Sequence, residues 1–235
     1  TRIFGLYGGP ATEISNLALT NGYRPAGIPG FGGAGLYIAL GAGATLTNVT
    51  LTDNNAGPFS GGAIWNSGRL TLESSTLSGN EARSGGAIFN AGNLTLENTT
   101  LSGNSADRVG GGIENISGGS VTLTDSTLST NSADGDGGGI QNSGTLSLRS
   151  STLSENSAKF FGGGLVNFGT ATLTGALVSN NSGAFFGGGI YNIYQLTLTN
   201  STLSGNSAII QGGGLYNTFV ATVTNSTISG NSAGG

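Results

Sequence analysis

The sequence predicts an all-β chain coiled as a parallel β-solenoid, with about 25 residues and three short strands per rung. Three observations carry that expectation. A Gly-Gly-small-aliphatic tetrad recurs seven times, ending at Ile64, Ile88, Ile113, Ile140, Leu165, Ile190 and Leu215, at intervals of 24, 25, 27, 25, 25 and 25 residues. Leu-Ser-x-Asn tetrads ending at Asn80, Asn104, Asn156 and Asn206 run in step with it, with variants ending at Asn54, Asn131, Asn181 and Asn231. Apolar-Thr-apolar triplets such as Leu70-Thr71-Leu72 and Leu94-Thr95-Leu96 supply a third marker in each rung.

Residues 1 to 35 fit the period poorly. The segment Ile14-Ser15-Asn16-Leu17-Ala18-Leu19 nevertheless repeats the five-residue step between apolar positions that separates Leu46 from Leu51, so it reads as a degenerate first rung. Gly22 to Gly35, with Pro25 and Pro29, reads as a long N-terminal loop, either a partial cap or a partner contact. From residue 36 to 235 the repeat runs without linker or charge run. Alternation over three to five residues, as in Thr76-Leu77-Ser78, makes each stretch a strand with one inward and one outward set of side chains. Asn-Ala-Gly (90 to 92), Asn-Ser-Gly (142 to 144) and Asn-Phe-Gly (167 to 169) supply the left-handed or tight backbone of the corners.

Short parallel strands bury their apolar faces only by stacking on their counterparts one rung on. The interior is then two columns, Leu51, Leu77, Leu101, Leu128, Leu153, Val178, Leu203, Ile228 and Leu46, Leu72, Leu96, Leu123, Leu148, Leu173, Leu198, Val223. Asparagine is costly to bury without a partner for its amide. The two Asn columns, one closing each Leu-Ser-x and the other Asn66, Asn90, Asn115, Asn142, Asn167, Asn192 and Asn217, therefore read as ladders of stacked amides.

Only 8% of residues are charged and the net charge is −4, with no basic segment, so the footprint of a nucleic-acid binder is missing. No apolar run approaches the roughly 18 to 20 residues of a spanning helix. Cys, His and Met are absent, which removes thiolate nucleophiles, Ser-His relays and the usual zinc ligands. The missing initiator Met and an ending at Gly234-Gly235, part-way through a repeat, suggest a piece of a longer chain.

Carboxylates remain as candidate chemistry. Asp107, Asp134 and Asp136 fall in one loop on neighbouring rungs beside Arg108, in a column continuing as Lys159, Ala184 and Ile209, while Glu73 and Glu97 stack on another face before Thr124 and Arg149. Neither group comes with a visible proton donor or pocket, and Asp134 with Asp136 offers too few ligands for firm calcium binding. No catalytic residue, metal or cofactor is assigned. The more informative column follows the glycine tetrads: Tyr37, Trp65, Phe89, Glu114, Gln141, Val166, Tyr191, Tyr216. It should face solvent over a sheet thinned by glycine, as a shallow trough suited to sugar rings or another protein. Beside it, Phe160-Phe161, Phe185-Phe186 and Ile209-Ile210 either form an exposed interface or fold back to shield the trough. Tyr37, Trp65, Phe89, Tyr191, Tyr216, Phe160, Phe161, Phe185 and Phe186 are accordingly the candidate residues for a surface glycan or protein partner.

Thr and Ser ladders cover the other faces. Thr-x-Thr pairs such as Thr172/Thr174 and Thr197/Thr199 suit an ice-binding surface, but Glu73, Glu97 and Arg149 interrupt the array, and β-branched residues also simply fit a pleated surface. Asn-x-Ser/Thr triplets at Asn48, Asn93, Asn98, Asn115, Asn180, Asn200 and Asn225 arise readily by chance in such a composition.

Gly-Gly-Ala-Ile-Trp-Asn (61 to 66), Gly-Gly-Gly-Ile-Tyr-Asn (187 to 192) and Ser-Thr-Leu-Ser-Gly-Asn-Ser-Ala (201 to 208) resemble the repeats of bacterial surface proteins with right-handed parallel β-helices, similar in pattern to polymorphic outer-membrane autotransporter passengers. The Phe-x-x-Asn motif of that family stands here as Leu-Ser-x-Asn, and its membrane barrel is not in this chain. The resemblance implies right-handed winding, export, and a role as adhesin, passenger or extracellular scaffold. It transfers no catalytic residue. The expectation is thus a non-enzymatic protein at the cell surface, against a carbohydrate-active lyase or hydrolase, a head-to-tail filament subunit, or an ice binder.

Overall fold

The computed structural model describes residues 2–9, 11–26 and 32–234. Gly27 to Phe31, and with them Pro29 of the expected N-terminal loop, lie outside the described residues. The chain coils as a parallel β-solenoid with no helix among those residues. One rung consists of Ile88–Asn90, Asn93–Glu97, Thr100–Ser102 and Ser105–Val109. The first three belong to nine-stranded sheets, here A, B and C, each strand paired in parallel with its counterpart one rung on. With nine rungs at roughly 4.8 Å, the rod is on the order of 40 Å long.

The three-strand rung needs correction. From Glu81–Ser84 onward a fourth, seven-stranded sheet D forms where the sequence reads as Asn-Ser-Ala loop. Most of its strands are a Ser-Ala pair, as in Ser132–Ala133. Two residues carry too little alternation to signal a strand, but stacking in register still pairs their backbones.

Both predicted leucine columns are real. Leu46, Leu72, Leu96, Leu123, Leu148, Leu173 and Leu198 are fully buried, as are Leu51, Leu77, Leu101, Leu128, Leu153, Val178 and Leu203, and register places each opposite the next. Each such side chain contributes about 1.5–3 kcal/mol by leaving water. In the last rung Val223 and Ile228 are exposed. At the other end, Thr12–Ser15 and Ala18–Thr20 set Ile14 opposite Leu46 and Leu19 opposite Leu51.

The asparagines form two ladders. In the first, Asn80 Nδ2 donates to Asn104 Oδ1 at 2.9 Å and Asn104 Nδ2 to Asn131 Oδ1 at 2.8 Å, while each backbone N–H donates to the same oxygen of the next rung. The second runs from Asn66 through Asn90, Asn115, Asn142, Asn167 and Asn192 to Asn217. Up to Asn192 and Asn206 every amide is satisfied by its neighbours, which is what permits these polar side chains full burial, while the end members Asn217 and Asn231 are open.

Left-handed backbone is not where the Asn-x-Gly triplets stand. It falls at the other corners: between sheets B and C at residues such as Asn48 (φ 53°), Asn98 (φ 48°) and Asn200 (φ 50°), between C and D at residues such as Thr130 (φ 54°), and before sheet A at the first glycine of each tetrad, such as Gly85 (φ 61°). Asn tolerates that conformation better than other L-residues, so several Asn-x-Thr triplets are corner plus strand start. Gly92 is required for a different reason: a Cβ there would collide with the carbonyl oxygen of Gly68 in the rung before.

Candidate functional site

Sheet A carries the aromatic column in the predicted register, Tyr37 opposite Trp65, Trp65 opposite Phe89, Phe89 opposite Glu114, and so to Tyr191 opposite Tyr216. The structure does not leave it an open trough. Tyr37 and Phe89 are buried, and Trp65, Tyr191 and Tyr216 are half-buried. For Tyr191 and Tyr216 the cause is the chain that leaves sheet D, which reaches the rung after its own.

Phe161 therefore stacks on Tyr191 at 4.9 Å and 20°, not on Val166 of its own rung, and Phe186 packs on Tyr216 at 4.7 Å. Phe160 and Phe185, one residue earlier, turn outward, stack on each other at 5.6 Å and stay exposed with Ile209 and Ile210. The loops thus shield with one residue and display with its neighbour. Toward the N-terminus a separate aromatic block forms, with Trp65 on Phe89 at 4.0 Å, and Tyr7 and the Arg2 guanidinium against Tyr37.

Between the two blocks lies a polar window. Glu114 is in the column itself, and its Oε2 is buried with no hydrogen-bond partner among the described residues. Burial pushes its carboxyl up to about 7, although the Arg108 and Arg83 guanidiniums pull the other way. Asp136 is also raised, first by burial, against a hydrogen bond its Oδ1 accepts from the Phe161 N–H at 3.3 Å. Tyr191 is raised by burial and then by Tyr216 and Asp136. The sequence places Glu114 in the column, but no spacing reveals that its carboxyl is buried.

Of the other acids, register confirms Glu73 against Glu97 on sheet B, followed by Thr124 and Arg149. No group of three or more Asp, Glu, His or Cys gathers among the described residues. An open concavity of about 470 Å³ at the corner of sheets A and B is lined by residues including Ala42, Gly68, Gly92, Asn93 and Arg69, and holds no carboxylate. A second, about 320 Å³, runs along Ala158, Ser182, Ser207 and Ile209 beside the displayed apolar residues.

The sequence reading missed one aromatic group. Tyr194 and Phe219 stand on the corner between sheets A and B, rings parallel within 2° and 5.6 Å apart, with Phe168 exposed one rung earlier. The detectable signal is that both occupy the place of the glycine in Asn-x-Gly.

No helix among the described residues is long and apolar enough to cross a membrane. The family model for a right-handed β-helix region matches residues 4–158. No curated protein and no solved structure matches the chain.

Proposed function

Because the chain belongs to the right-handed β-helix family, a fold that does not by itself assign an activity, we propose that it is a non-enzymatic extracellular scaffold of the adhesin or autotransporter-passenger kind. The observation that carries this reading is the display of Phe160, Phe185, Ile209 and Ile210 on rungs that bear no charged residue after Lys159. Exposed apolar side chains gathered on one edge mark a contact surface. The partner is a surface glycan or another protein, and the site of action is the cell surface.

A carbohydrate-active reading has one observation in its favour, the Glu114 carboxyl raised to about 7, where a general acid would operate. Its Oε2 is buried and neither of the two concavities above is lined by it, which favours the binding role. For the filament alternative, a head-to-tail stack of this segment would set Leu6 and Gly22 at the ladder positions facing Asn217 and Asn231, where they offer no carboxamide. Ice binding meets the interruption of the Thr face by Glu73, Glu97 and Arg149.

The test is an array of glycans and extracellular-matrix proteins probed with the purified chain and with Phe160→Ser/Phe185→Ser. Binding that falls at least tenfold in the variant supports an adhesive face. Turnover of a polysaccharide that disappears in Glu114→Gln would replace the proposal with the enzymatic one.

A further inference from the structure

At the corner between sheets A and B, four rungs read Asn66-Ser67-Gly68, Asn90-Ala91-Gly92, Asn142-Ser143-Gly144 and Asn167-Phe168-Gly169. The glycine is a packing requirement. A Cβ on Gly92 would meet the Gly68 carbonyl oxygen, and one on Gly169 the carbonyl oxygen of Gly144. The next two rungs break this rule with Tyr194 and Phe219.

The corner itself survives. Asn192 Nδ2 donates to the Tyr194 carbonyl at 3.2 Å and Asn217 Nδ2 to that of Phe219 at 3.1 Å, as Asn90 does to Gly92 at 2.9 Å. The inter-rung bond beside the first ring is stretched, Gln195 N–H to Gly169 O at 3.3 Å against 3.0 Å for Thr170 N–H to Gly144 O. Two successive rungs thus give up the residue the backbone prefers in order to carry a ring. Departures from a local structural rule gather at functional sites.

The rings are open and ride on a held backbone. Ladder asparagines hold both corners, and Tyr194 and Phe219 are 45% and 58% exposed. Their surroundings combine hydroxyl and carboxamide groups, Thr170, Gln195, Asn217 and Thr218, with the exposed Phe168 and Val220, in a stretch without one charged side chain. Three rings and one valine make a small apolar area beside the roughly 800 Å² a side of a standard protein interface. They match a ligand with alternating C–H faces and hydroxyl edges. The lack of charge selects a neutral one.

We infer that the Tyr194/Phe219 corner is a binding site for an uncharged polysaccharide, its successive sugar units meeting rings one rung apart. The inference deepens the reading above and rests on it only for a glycan partner, since it uses different residues from the Phe160/Phe185 edge.

The experiment is affinity gel electrophoresis of the whole chain in neutral glucan, neutral mannan and polygalacturonate, with thermal melts alongside. Tyr194→Gly/Phe219→Gly restores the glycine of the other rungs and is expected to fold at least as stably as the parent. A neutral polysaccharide should retard the parent, with affinity at least tenfold lower in that variant and unchanged in Glu73→Thr/Glu97→Thr on sheet B, with Phe160→Ser/Phe185→Ser run beside them. Retardation by polygalacturonate alone, or by none of the three, overturns the inference. So does loss in the Phe160/Phe185 variant with retention in the corner variant, an outcome that would leave the adhesive face standing.

Discussion

The rungs up to Lys159 carry all eleven acidic and all seven basic residues, and those beyond it carry none. Their interiors do not differ. Leu96 and Leu198 are equally buried, and the ladder bond from Asn104 to Asn131, 2.8 Å, has its equivalent from Asn181 to Asn206 at 2.9 Å. The backbone architecture is therefore indifferent to surface charge, and the two surfaces answer to something other than folding. Where charge is present, Glu114 interrupts the aromatic column, with Arg83 and Arg108 acting on its carboxyl from sheet D; where it is absent, rings appear on both edges of sheet A. A charge-free surface loses the usual deterrent to association, which is tolerable where association is the purpose.

The strongest way to break the comparison is through the ladder. Asn131→Ala leaves the Asn104 N–H and Nδ2 and the Leu101 carbonyl without their partner, and should cost about 3–5 kcal/mol. Asn206→Ala strands the equivalent groups of Asn181 and Val178 in the uncharged half and should cost the same within about 1 kcal/mol. Urea unfolding measures both. A large inequality would mean that the halves are not built alike.

A smaller effect separates the halves by pH. The Glu114 carboxyl titrates near 7 when folded and near its ordinary 4.5 when unfolded, so the folded state holds the proton more tightly. Its contribution is present below about 4.5 and is lost as pH rises through 7. Glu114→Gln should therefore be close to the parent at pH 4 and more stable by on the order of 2–3 kcal/mol at pH 8, read from urea midpoints. A parent whose stability does not fall across that window would remove the buried-carboxyl account.

The smallest effect concerns sheet B. Glu73→Thr/Glu97→Thr/Arg149→Thr completes a Thr column from Thr47 to Thr224 and should change stability by less than about 1 kcal/mol, since the three side chains point away from the core. Freezing hysteresis in the unmodified chain would move its function to ice binding.

Much of the molecule was legible because each rung repeats the one before it. Leu72, Leu77, Asn80 and Asn90 recur at the same phase, so their columns, burial and partners followed from spacing. Phe161 and Phe186 were legible as apolar but not as cover, because their contact is diagonal and crosses to the next rung. The short Ser132–Ala133 strand was hidden by its length. Tyr194 and Phe219 were hidden as deviations inside a pattern that drew the eye to its glycines.

By itself the sequence determined the period, the inward columns and the two asparagine ladders, since a repeat fixes the register along the axis and every buried amide then finds its twin. Only the tertiary structure decided which rings are shielded, why burial raises the Glu114 carboxyl, and where Tyr194 and Phe219 stand. Those depend on how loops of unequal sequence fold across the rungs, and a translation along the axis carries no information about that.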